Sequence, residues 1–342
     1  MRACFVVCLL FYLPLSFAAE VDQFTPGRPL KDSSQRLEKE INRRIHEAVR
    51  RANGFYARPQ QSKKVHHRIR AQCDVNRLYT QLESQLARPL IGQLETFAEQ
   101  SAEVDKRRVS FPQSVYRQYD SAEAPTLVLS ERMAAVIRIH DVEIGSDKLG
   151  HFFTEGLSYF EVTSRLRDGI NEALVFGQWS ESVYFGAQTT GVFSYADLTA
   201  NFNGLRFWNR ILAHQPDPLS GEQPEPYIRC INKRWQVSQP FRWAGYVDQG
   251  WNEAVNCNAF RTASMLTKVM DYQPRCQTEL LPQRYDKTLA ATLLNTDGLK
   301  LLPDLMQPEA LLAKRADILD WQLPEAMVEN IRQIRLQIES WR

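Results

Sequence analysis

Ser146-Asp147-Lys148-Leu149-Gly150-His151-Phe152-Phe153-Thr154-Glu155-Gly156 reads as a helix that shows two different faces to its surroundings. Four residues turn an α-helix by only about 40° past a full turn. Asp147, His151 and Glu155 therefore stack in one row, while Leu149, Phe152 and Phe153 look elsewhere. That row supports three readings. Histidine and carboxylates at i and i+4 converge on one metal ion. A carboxylate that orients an imidazole makes an acid–base relay. In the plainest reading Ser146 or Asp147 caps the helix and Glu155 accepts a hydrogen bond from His151.

A second segment, Phe193-Ser194-Tyr195-Ala196-Asp197-Leu198-Thr199-Ala200-Asn201, repeats the spacing. Ser194 suits a helix entry, and Asp197 and Asn201 share a face with Gly204 close by, where a second backbone can approach. Flanked by Phe193, Leu198, Phe202 and Leu205, the Asp and Asn are expected to be at least partly buried and to need partners. His151 and Glu155 are the obvious ones. Between the two segments, Phe176-Gly177-Gln178-Trp179-Ser180-Glu181-Ser182 adds Glu181 from a third helix. The loop Gln188-Thr189-Thr190-Gly191-Val192 then makes a turn into the Asp197 helix. Ser182, Ser194 and Thr190 are hydroxyls within the same block, but no G-x-S-x-G, H-E-x-x-H, Walker A or G-x-G-x-x-G pattern is present, which weakens a serine-hydrolase reading. The catalytic candidates are thus His151, Glu155, Glu181, Asp197 and Asn201. The pattern names no cofactor but leaves room for a divalent metal, with Asp147, His151, Glu155 and Asp197 as the candidate ligands.

The order Asp-Lys-x-x-His-Phe, a Glu in a Trp/Ser context, then Ser-x-x-Asp-x-x-x-Asn-x-x-Gly resembles the core pattern of VanZ-like bacterial envelope proteins. It is also similar to exported envelope families that share the D-K-x-x-H-F signature. The matching positions are Asp147, Lys148, His151, Phe152, Glu181, Ser194, Asp197, Asn201 and Gly204, within residues 146 to 208. VanZ-like proteins are integral to the membrane, whereas Arg165, Arg167, Asp168 and Arg206 keep this block out of a bilayer. The resemblance implies a shared site and an envelope setting; it implies no particular reaction.

Outward from this block the pattern is mainly helical. Leu37, Ile41, Ile45 and Val49 recur every fourth residue and predict a helix from Gln35 to Gly54. A basic stretch over 55 to 70 follows, then a second long helix from about Asp74 to Val104, kinked or broken at Pro89. Leu127 to Ile139 reads as a helix or a buried apolar segment, and His140 to Gly145 as a short strand and turn. A dense helical block runs from Asp147 to about His214. Further helices are expected from about Glu253 to Met270 and in the tail, the last from Pro324 to Trp341. The fold class is mainly α: a helical bundle-like domain with an irregular Pro- and Trp-rich insert and little β. Residues 19–34 read as a flexible lead-in, 35–122 as an N-terminal helical region, and 123–215 as the core domain holding the polar centre. Residues 216–342 read as an aromatic, disulfide-bearing segment and C-terminal helices packed on that core. Within that segment Trp243, Tyr246, Asp248, Trp251 and Glu253 alternate aromatic and polar groups, as in a sugar- or peptide-binding rim, although packing explains such aromatics as well.

Residues 1–18 have the order of a secretory signal peptide: Arg2, an apolar run from Ala3 to Leu15, then Ser16-Phe17-Ala18 before a cut at Ala19. The run is too short for a membrane anchor, and no later stretch predicts a stable span once the signal is cleaved. Four cysteines, Cys73, Cys230, Cys257 and Cys276, follow it. An even number in an oxidising compartment predicts two disulfides, with three pairings open. With 42 basic and 40 acidic residues, net +2, the chain lacks the charge for bulk capture of nucleic acid or anionic membrane. Two functions of different kinds compete for a periplasmic or secreted protein with these features. One is an envelope hydrolase built on the His/carboxylate centre. The other is a non-catalytic envelope protein, contacting cell-wall components or a partner, in which the same centre only fixes helix packing. A small-ligand or metal-binding role without turnover is a third.

Overall fold

The computed structural model describes residues 20–54, 73–87, 92–165 and 169–313. The expected signal peptide, the basic stretch 55–70, Pro89 and the helix from Pro324 to Trp341 lie outside them. Part of the segment expected to be a loose lead-in is instead buried, at residues 20–24, 30, 33 and 34. Glu20–Val21 forms strand β1, which pairs in parallel with β3 (Met133–Ala134), Glu20 opposite Met133. Val21 and Asp22 are buried, and the Asp22 carboxylate accepts hydrogen bonds from the backbone N–H groups of Phe24, Thr25 and Val115. A buried carboxylate that satisfies three amides fixes a loop that composition alone marks as flexible.

Helix α1 (Ser34–Asn53) buries Leu37, Ile41, Ile45 and Val49 along one stripe, as their spacing predicts. It packs on α2 (Val75–Leu86), whose first turn is capped by Asp74 accepting from the Arg77 N–H. The helix expected over 74 to 104, kinked or broken at Pro89, is described as two, α2 and α3 (Gln93–Gln100). Of the two readings of Leu127 to Ile139, the buried apolar segment fits most of it, and His140 to Gly145 holds the expected strand and turn. Only Pro125–Ser130 is helical (α4), and the β-branched residues beyond it form β4 (Val136–Ile139) and β5 (Val142–Gly145). These make an antiparallel hairpin, flanked by β2 (Lys106–Arg107), whose turn at His140 takes a positive φ of 55°.

The hairpin delivers the chain into α5 (Lys148–Gly150), a wide π-helical turn over His151–Glu155, and α6 (Gly156–Arg165). Helix α7 (Gly169–Ser180) runs into a second π-helical turn, Glu181–Phe185. Strand β6 (Val192–Phe193) and the long α8 (Tyr195–Arg210) follow. Helices α6 and α8 cross where Gly156 meets Gly204: a Cβ on Gly204 would stand 2.0 Å from the Phe152 carbonyl oxygen and 2.8 Å from the Gly156 Cα. That close approach is what brings the two polar rows together.

Residues 215–251 hold the hairpin β7 (Ile228–Ile231) and β8 (Arg234–Val237), turned by Asn232 and Lys233 at positive φ, and then a run of buried aromatics. The helix expected from Glu253 shortens to α9 (Ala263–Met270). Before it, Asn256 donates to the carbonyls of Gly250 and Leu293, and Asn295 donates to the Cys257 carbonyl. These side-chain amides take over the bonds that a helix would make. The chain there forms β9 (Ala259–Phe260), between β6 and β10 (Lys300–Leu301), while α10 (Lys287–Leu293) and α11 (Pro308–Ala313) complete the described tail. The protein is mainly α, with small sheets of two or three strands among the described residues. Cysteines pair as Cys73–Cys230 and Cys257–Cys276. No helix among the described residues is long and apolar enough to cross a membrane.

Candidate functional site

The row read from the sequence meets its partner across the Gly156–Gly204 crossing. His151 Nε2 stands 3.0 Å from Asp197 Oδ2, and the Asn201 amide faces His151 Nδ1 at 3.1 Å. The orientation of that amide follows the ring: its oxygen accepts from an imidazolium, its NH2 group donates to a neutral imidazole. Burial alone would lower the His151 pKa, but the charge and hydrogen bond of Asp197 outweigh it and hold the imidazole well above its ordinary value. Asp197 answers in kind. Burial would raise it, yet His151 and Lys148 keep its carboxyl below the usual carboxylate range. Ser194 positions the acid by accepting a hydrogen bond from the Asp197 N–H at the start of α8.

Lys148 supplies the centre's second cation. Its side chain is 0% exposed, and Nζ lies 2.7 Å from Asp147 Oδ2, 2.6 Å from Asp197 Oδ1 and 2.6 Å from Glu253 Oε1. Burial would discharge the amine, but Asp147, Asp197 and Glu253 together hold it well above its ordinary range. Glu253 also accepts from Ser194 Oγ at 3.1 Å and from Asn258 Nδ2 at 2.8 Å. Glu181, at the start of the second π-helical turn, accepts from the Ser194 N–H at 3.0 Å. Glu20 reaches in from β1 and accepts from Thr190 Oγ1 at 2.5 Å. Glu95 of α3 lies against Gly150, where a Cβ would stand 2.9 Å from its Oε2.

Seven carboxyl groups, of Glu20, Glu95, Asp147, Glu155, Glu181, Asp197 and Glu253, thus surround two cationic side chains. Burial, reinforced by neighbouring acids, pushes Glu20 and Glu181 well above the carboxylate range and Glu95 up to about 8. Asp147, Glu155 and Glu253 are raised as well, burial again being the main cause. Such a centre favours bound protons or another cation. Asp147, His151 and Asp197 each offer a ligand atom, all within 4.8 Å of one another, and Asp147 Oδ1 is buried without a hydrogen-bond partner among the described residues. Glu155 stands outside that triplet. Its carboxylate is 3.9 Å from His151 Nδ1, so the expected hydrogen bond is replaced by the one to Asn201. Glu155 is also the most open member, its side chain 20% exposed against 6% for His151.

No known family, curated protein or solved structure matches this chain. The chemistry is therefore read from its own geometry. The sequence rightly placed His151, Asp197 and Asn201 together, with Asp147 and Glu181 beside them. It assigned Glu253 to a ligand rim that the structure does not contain. Trp243 and Trp251 are 0% exposed, and with Tyr246 they pack around Phe152 at ring-centroid distances of 5.4 to 5.5 Å. Apolar rings are better buried against Phe152 than displayed. Asp248 pairs with Arg284 and accepts from the Tyr285 hydroxyl, while Glu253 turns into the polar centre. Sequence reasoning missed Glu20 and Glu95 and left Lys148 without a role, although a lysine between Asp147 and His151 was itself the signal. None of the three hydroxyls bonds His151 among the described residues: Ser194 caps α8, Thr190 donates to Glu20, and Ser182 Oγ is buried without a partner.

Proposed function

We propose that this chain is an exported envelope protein whose Asp147–His151–Asp197 centre binds a divalent cation and serves a metal-assisted hydrolase. The observation that carries the reading is the ligand triplet itself, three donors within 4.8 Å with one oxygen of Asp147 unpartnered. One imidazole nitrogen among carboxylate oxygens suits zinc, manganese or iron better than a thiolate-seeking ion. A bound divalent cation would lower the pKa of a coordinated water toward neutrality. Of the protein's own groups, Asn201 fixes Nδ1 of His151 and leaves Nε2, beside Asp197 Oδ2, as the nitrogen that would face the ion, and Glu155, its side chain 20% exposed, is the group placed to exchange a proton with solvent. The resemblance of the D-K-x-x-H-F block to VanZ-like envelope proteins supports the same setting. So do two disulfides, which persist in oxidising compartments.

Elemental analysis of protein purified without chelators tests the metal. Near-stoichiometric metal that is lost in His151→Ala and Asp147→Asn supports it, and full metal content in His151→Ala would falsify it. Activity on phosphoesters, muropeptides and envelope lipids, abolished by the same substitutions, tests the hydrolase. The mass of the mature chain, cut before Ala19, tests export. A structural reading has one observation in its favour: Lys148 already engages three carboxylates. It predicts a metal-free protein that loses stability, and nothing else, when Asp197 is replaced by Asn.

A further inference from the structure

A second polar site lies on the other side of Glu253. A half-open cleft of about 720 Å³ runs between the loop after β1 and the loop after α9, a size typical of small-ligand sites. Its walls carry Arg107, Arg117 and Arg275 against a single acid, Glu143. Arg107 is spent: Nη2 donates to Glu143 Oε2 at 3.1 Å and Nη1 to the Arg28 carbonyl at 2.9 Å. The other two arginines have no carboxylate or carbonyl acceptor among the described residues. In a chain of net charge +2 over 342 residues, two unanswered guanidinium groups in one cleft form a local concentration of positive charge.

The Arg117 guanidinium and the backbone that carries Arg275 are both held in place. The Arg117 guanidinium carbon lies over the Tyr272 ring, 3.7 Å from its centroid, and the Tyr272 hydroxyl accepts from Gln118 at 2.5 Å. Stacking leaves the edge of a planar fork, with its N–H groups, free to meet an oxyanion. Arg275 sits beside Cys276, which is tied to Cys257, and the Gln277 N–H donates to the Ala254 carbonyl at 2.8 Å. Gln23 links the floor to the buried centre: its amide nitrogen donates to the Glu143 carbonyl, and its amide oxygen accepts from the Glu253 N–H at 3.0 Å.

We infer that this cleft binds a small ligand through an oxyanion group, a phosphate or a carboxylate, held between Arg117 and Arg275. Calorimetric titration of chelator-treated protein with inorganic phosphate, and separately with citrate, at constant ionic strength tests it. Removing the metal first separates this site from any anion bound at the centre, so the two readings stand or fall apart. One probe or both should bind saturably, and the winning arm names the oxyanion. The double variant R117A/R275A should weaken that binding about tenfold or more, the loss expected of charged hydrogen bonds. Arg117→Lys should weaken it too, since an ammonium loses the flat fork. Arg234→Ala, at an exposed position on β8, should leave it unchanged. Absence of saturable binding for both probes, or equal affinity in the double variant, overturns the proposal. An unchanged thermal midpoint in the variants ensures that lost binding is not lost folding.

Discussion

His151 and Phe152 are neighbours in the chain and occupy opposite worlds. His151 looks into seven carboxyl groups shared by two cations; Phe152 looks into Phe207, Phe241, Trp243, Tyr246 and Trp251, all within 6.2 Å between ring centroids. The aromatic side is an ordinary core, stabilised by burying rings. The acidic side opposes folding unless protons or cations offset its charge. One helical turn therefore divides a region that stabilises the protein from a region that the first must hold in place. The contrast is why the proposed function is placed on the acidic side, where groups costly to bury are gathered.

The largest effect should come from the aromatic side. Phe152→Ala is expected to lose about 3–5 kcal/mol in denaturant unfolding, with the metal content of the surviving folded protein unchanged. Loss of metal together with stability would erase the division. Lys148→Met tests the acidic side and should cost about 3 kcal/mol, because it leaves Asp147, Asp197 and Glu253 without their buried cation. A change within error would show that those acids are already neutral. Gly204→Ala strikes the hinge between the two regions, where the Phe152 carbonyl is 2.0 Å from the new Cβ; about 1–3 kcal/mol of overpacking is expected.

The smallest effect at acid pH, and the most specific, concerns Glu95. Its carboxyl is pushed up to about 8 from 4.5. Between those values the unfolded chain has released this proton and the folded chain has kept it, so stability falls as pH rises from about 4.5 to about 8. Below that window the group contributes no slope. Glu95→Gln in chelator-treated protein should therefore match the parent near pH 4.5 and decline less steeply above it. Identical slopes would place the Glu95 carboxyl in water.

Much of this was legible in the sequence, for a definable reason. The stripe Leu37–Ile41–Ile45–Val49 and the rows Asp147–His151 and Asp197–Asn201 are local patterns, and helical geometry turns local spacing into a face. The pairing of the two rows followed from the need of buried polar groups for partners. What escaped depends on contacts distant in the chain. Glu20 meets Thr190 at a sequence separation of 170, and nothing in a polar leader announces that it enters the core. Glu95 looks like one more charge on an amphipathic helix until Gly150 packs on it. Trp243 and Trp251 read as a rim because their polar neighbours alternate with them, and only the presence of Phe152 decides that they turn inward. The helix expected from Glu253 failed where asparagine side chains, which spacing does not reveal, replaced the backbone ladder.

The Cys73–Cys230 bridge spans 157 positions, and Asp147, His151, Glu181 and Asp197 all lie inside the ring it closes. A protease that cuts once anywhere within that ring yields no separate fragments until the bridge is reduced. Nicked and intact molecules would then run together on a non-reducing gel, and a clipped preparation would pass as whole. Limited digestion of this protein has to be read with thiol present, and a cut after which the bridge and the folded signal both survive would mark an exposed loop rather than a failed fold.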